Sequence, residues 1–78
     1  MTGDEYRAAL DRIGMSQVGA ARFFHVAPST SRRWIADQLI IPPAVAMLLC
    51  VMMHRRLSPG DVLAIEATLT KVAETEDA

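Results

Sequence analysis

Apolar residues recur along this chain with the spacing of helices. Tyr6, Ala9, Leu10 and Ile13 stand at i, i+3, i+4 and i+7, one face of a helix, with Arg7 and Asp11 on the wet side. Ahead of that stripe Thr2 and Glu5 have capping-box spacing, and Gly14 closes it with a residue free to take positive φ. Ser16 is an N-cap for a second helix over 17–24, whose Gly19, Ala20 and Ala21 permit close approach of a neighbour. Pro28 opens a third helix over 28–36, because its missing N–H would be unpaired at a first helical position anyway. Asp37, a residue that tolerates turns, follows it. Pro42 and Pro43 mark the next boundary, and 44–54 reads as a fourth helix. Ser58, Pro59 and Asp61 start a fifth with an N-cap, a first-turn proline and an acid near the positive helix end. Val62, Ile65, Leu69 and Val72 share one stripe of it. Nothing alternates with a period of two, and no Asn-Gly or Asp-Gly hairpin signal occurs. The pattern predicts an all-α fold of five helices in one domain over 1–73, followed by an acidic tail, 74–78, that frays.

Composition narrows the functional classes. A chain of 78 residues buries only about 60% of its unfolded surface, which leaves little room for a deep catalytic cleft. Its 51% hydrophobic content is too high for a disordered chain. One cysteine excludes an internal disulfide, and no Cys/His cluster suggests zinc. His25 and His54 stand far apart in the sequence, and no nucleophile–base pattern is present. The expectation is therefore no enzyme, no catalytic residue, no metal, no cofactor and no small-molecule ligand. The longest apolar run, 44–53, is about half the ~20 residues that span a bilayer. No export signal opens the chain, so a soluble, cytoplasmic protein without a membrane partner is expected. The formal charge of −1 hides an asymmetry. Residues 1–56 carry seven arginines against four acids, a net of +3, and residues 57–78 one lysine against five acids, a net of −4. Such a division hints at a face that binds a polyanion.

The most informative stretch is MSQVGAARFFHVAPSTSRRWI, residues 15–35. Two short helices joined by about three residues, His25 to Ala27, leave the second one prominent. On that second helix Ser31, Trp34 and Ile35 share one face, and Ser29, Arg32, Arg33 and Ala36 another. The first face supplies a core anchor in Trp34. The second offers hydroxyl and guanidinium groups that can enter a major groove about 12 Å wide and bond base edges.

With Met15-Ser16-Gln17, Ala21, Val26, Thr30, Arg33 and Trp34 in register, the chain resembles the helix-turn-helix family of lambda repressor-like and Cro proteins, the XRE family. The resemblance spans nearly the whole chain and implies a five-helix lambda-repressor-like domain. It also implies a transcriptional regulator that binds double-stranded DNA at a palindromic operator, with Ser16, Gln17, Pro28, Ser29, Thr30, Arg32 and Arg33 at the interface. Gln17 would meet phosphate and a flanking base, Thr30 phosphate, Pro28 apolar atoms, and Ser29, Arg32 and Arg33 the bases. Arg22, Arg55 and Arg56 are candidates for backbone attraction only. Several positions depart from the family pattern. His25 stands where glycine is usual, Ala27 replaces an N-cap serine, and Ser31 occupies an aliphatic inward position. Ile35 and Leu10 replace a Glu–Arg pair, so an ion pair is exchanged for an apolar contact, a swap that is often neutral or stabilising.

The run 44–53 raises a separate expectation. A helix in so small a domain rarely buries every face internally. One face should join the core and leave others apolar, so helix 4, helix 5 or both are expected to form a homodimer interface, with Met47, Cys50, Val51, Met53, His54 and Val62 as its candidates. A two-fold dimer would present its two reading helices to half-sites about 34 Å apart. Read by itself, Cys50 is an inert buried thiol inside the apolar run. Two other readings stand beside the DNA-binding regulator: an antitoxin with a toxin-binding acidic tail, and a helical protein-interaction module using the helix over 44–53.

Overall fold

The computed structural model describes residues 1–77, with side chains through Leu69. It is all-helical: α1 (Gly3–Ile13), α2 (Gln17–Phe23), α3 (Pro28–Ile35), α4 (Pro43–Arg55) and α5 (Pro59–Asp77). No strand occurs among the described residues. Boundaries agree with the sequence pattern to within about one residue, except at the end of the chain. There α5 runs through Asp77, past the expected end at 73 and into the segment expected to fray; Ala78 lies outside the described residues. Among the described residues no helix is long and apolar enough to cross a membrane.

Helix starts follow the predicted chemistry. Thr2 Oγ1 accepts from the Glu5 N–H at 3.1 Å while the Thr2 N–H donates to Glu5 Oε1 at 2.8 Å. Ser58 and Asp61 repeat this reciprocal box at the start of α5, at 3.0 and 2.8 Å. Both carboxyls are held below their ordinary pKa, chiefly by the backbone N–H of the capping residue, Thr2 for Glu5 and Ser58 for Asp61. Ser16 Oγ caps α2 through the Gly19 N–H at 2.9 Å. Ala27 offers α3 no side-chain cap, and Pro28 at the first position removes one of the donors that would need it.

Four helices end in the same way. Met15, Val26, Gln38 and Leu57 each donate to the carbonyl five residues back, on Leu10, Ala21, Arg33 and Met52, at 2.8–2.9 Å. This is the Schellman closure, which needs a left-handed residue just before the donor. Those residues are Gly14, His25, Asp37 and Arg56, with φ of 75°, 57°, 58° and 55°. Glycine serves one site of four, and the other three hold L residues in a conformation that costs roughly 1–2 kcal/mol each. Met15, Val26 and Leu57 then fold back onto the core, the apolar contact that accompanies this closure.

The core gathers Tyr6, Ala9 and Leu10 of α1 with Met15, Ala20, Trp34, Ile41, Leu49 and Met52. Helix α1 is central, packing against α2, α3 and α4, and α2 packs against α3. Trp34 meets Tyr6 edge-on at 5.6 Å and Phe24 at 6.3 Å between ring centroids. Helix α4 sends Leu49 and Met52 into this core and leaves Met47, Cys50, Val51 and His54 exposed at i, i+3, i+4 and i+7. Three expectations change here. Cys50 is exposed, because it lies on the outer stripe of α4 and not with Leu49. Met53 and Val62, expected at an outward surface, pack against the core. On α5, Val62 alone of the described stripe turns inward, while Ile65 and Leu69 are 52% and 66% exposed; Val72 lies outside the described side chains. The molecule is accordingly long, 45 × 24 × 19 Å.

Candidate nucleic-acid interface

Residues Phe24–Ala27 join α2 to α3, and the closure at His25 reverses the chain within that turn. Helix α3 is then fixed from one side. Ser31 and Trp34 are buried at 0% and 3% exposure, and Ile35 packs against the core. With that face inward, Pro28, Ser29, Arg32, Arg33 and Ala36 are exposed, and Thr30 is half-buried. The division between an anchoring face and a charged face follows the helical spacing read from the sequence. On α2, Ser16 is exposed, with its oxygen engaged by the Gly19 N–H, and Gln17 is half-buried. Gln17 lines a hollow with Arg7, Leu10, Asp11 and Ile35. Leu10 and Ile35 thus share one hollow between α1 and α3.

Of the outlying arginines, Arg22 lies beside α5 in an apolar hollow of about 290 Å³ with Met15, Phe23, His25, Pro59 and Leu63. Arg56 lines another with Arg12, Met52 and Ser58. The first hollow lies between α2 and the start of α5, the second between α1, the end of α4 and the turn before α5, and neither is lined by a residue of α3.

Two features at the back of α3 escaped sequence reasoning. Tyr6 Oη and Ser31 Oγ are hydrogen-bonded at 2.9 Å with both side chains fully buried. Burial raises the Tyr6 pKa, and the bond to Ser31 opposes that shift. Beyond the end of α3, Asp37 Oδ1 accepts from the Gly3 N–H at 2.7 Å. Gly3 lies so close to α3 that a Cβ there would overlap the Ile35 carbonyl oxygen and stand 2.8 Å from that of Trp34. Signals existed for both: a polar residue at an inward position of α3 needs a hydrogen-bond partner. A glycine in a helix's first turn, where propensity disfavours it, marks a close backbone approach.

No family model matches the chain, and no curated protein or solved structure is significantly similar to it.

Proposed function

We propose that this protein is a lambda-repressor-like regulator that binds double-stranded DNA through a helix-turn-helix formed by α2 and α3. The carrying observation is the two-sidedness of α3: Trp34 and Ser31 are buried while Ser29, Arg32 and Arg33 are exposed together. A helix anchored by an indole and a serine, with two adjacent guanidiniums outward, suits a major groove. Arg33 would donate two parallel bonds to guanine O6 and N7, a contact worth about 1–3 kcal/mol of discrimination. Ser29 and Arg32 would reach neighbouring bases, and Ser16, Gln17 and Thr30 would meet the backbone and flanking base. A cytoplasmic location, with a target operator on the genome, belongs to the same proposal.

The proposal includes a homodimer. One module makes few phosphate contacts and binds weakly, and its affinity falls with salt. Met47, Cys50, Val51 and His54 on α4, with Leu63, Ile65 and Leu69 on α5, supply exposed apolar surface that a second copy would cover. The same surface favours one other reading, a protein-interaction module that never meets DNA.

Selection from a random duplex pool separates them. The regulator enriches an inverted repeat, and Arg33→Ala lowers affinity for it about 10- to 100-fold per half-site, with relaxed preference at one position of each. Failure of the protein to enrich any sequence or to retard any duplex at low salt refutes the reading.

A further inference from the structure

Tyr6 and Ser31 present a puzzle that packing alone does not answer. Both are fully buried, and their hydroxyls satisfy one another. An apolar pair of the same shape would be about as stable, because a net intramolecular hydrogen bond contributes little once desolvation is counted. What the bond adds is direction, since its strength falls steeply with distance and angle, whereas an apolar contact tolerates sliding. Ser31 stands immediately before Arg32 and Arg33, so any roll of α3 that swings the guanidiniums also moves this oxygen. A second tie lies just past the end of the same helix, where Asp37 Oδ1 takes the Gly3 N–H at 2.7 Å. The bare Cα of Gly3 lets the first turn of α1 abut the carbonyls of Trp34 and Ile35. Helix α1 therefore holds α3 at its middle and at its end, through polar contacts at both points.

We propose that Tyr6, Ser31 and Asp37 are positioning residues that set the roll and axial position of α3, and through them the sequence that Arg32 and Arg33 read. The inference rests on the DNA-binding reading for its functional consequence and on α1–α3 geometry for its structural one. The two parts are tested separately.

Tyr6→Phe/Ser31→Ala removes both hydroxyls and leaves no buried group unpaired. If the pair merely fills the core, this variant matches wild type in every respect. If it positions α3, the melting temperature stays close to wild type and affinity for mixed-sequence duplexes is unchanged. Preference for the enriched site over a scrambled one then falls about tenfold, the size of one well-aimed base contact. An unchanged preference overturns the proposal. Backbone dipolar couplings of the free protein give the structural arm: a reoriented or exchange-broadened α3 upholds the proposal, and couplings that fit the wild-type α1–α3 orientation overturn it. This arm decides even if wild type enriches no site, an outcome that would sink only the DNA-binding reading. Should the double variant not fold, Asp37→Gly carries the same two measurements, because glycine suits the φ of 58° there and only the carboxylate tie is lost.

Discussion

Gly3→Ala tests the α1–α3 junction, and helix propensity and tertiary structure predict opposite signs for it. In an isolated helix, alanine is better than glycine by roughly 0.5–1 kcal/mol. At Gly3 the new Cβ would overlap the Ile35 carbonyl oxygen, with the Trp34 oxygen at 2.8 Å where ordinary contact begins near 3.4 Å. The backbones would have to part by more than half an ångström, and backbone, unlike a flexible side chain, does not yield cheaply. Overpacking of this kind costs about 1–3 kcal/mol. Separation also stretches the Gly3 N–H bond to the Asp37 carboxylate, a charge-assisted bond worth about 1.5–3 kcal/mol. Less the propensity gain, the net is a loss of about 1.5–5.5 kcal/mol. For a domain of this size that lowers Tm by about 6–44 °C, read by circular dichroism at one fixed protein concentration. Gly60→Ala is the control. Gly60 also lies in a first helical turn, but its Cβ would meet only Ser58 Oγ at 3.7 Å, so that variant should be neutral or slightly more stable. If Gly3→Ala melts with or above wild type, the close approach of α1 to α3 is wrong, and the second tie argued for α3 fails with it.

Other outcomes follow from the same structure. Arg56→Gly should stabilise by about 0.5–1 kcal/mol in urea titration, because relief of a left-handed φ of 55° outweighs the extra chain entropy that glycine loses on folding. Destabilisation would mean that the Arg56 side chain makes contacts that matter. Glu5 and Asp61 have folded-state pKa values below the ordinary 4.5 and 3.8. Their contribution is full above those ordinary values and is lost as pH falls through the lower folded ones. Urea midpoints should therefore decline from about pH 4.5 downward, less steeply in Glu5→Gln; identical acid limbs would remove Glu5 from the account. Met47→Asp/Val51→Asp alters residues that are 67% and 50% exposed, so the monomer should still fold. Sedimentation should then shift from dimer to monomer, and an unchanged dimer would exclude this stripe of α4 from the interface.

The sequence by itself determined what is local. Helix starts were legible in Thr2, Ser16, Pro28 and Ser58, because capping depends on residues within one turn of each other. The faces of α3 were legible because helical spacing alone separates Ser31 and Trp34 from Arg32 and Arg33. Whether α4 presented one outer stripe or several was not legible, because a helix apolar on every side has no period to read. Its packing against α1 chose Leu49 and Met52 for the core, turned Met53 inward and left Cys50 outside. Tertiary structure also decided that Ser31 meets Tyr6 and that Asp37 reaches Gly3, pairs 25 and 34 residues apart in the chain. Such contacts form only when packing brings distant segments within about 3 Å, where a hydrogen bond acts, and no local pattern encodes that approach.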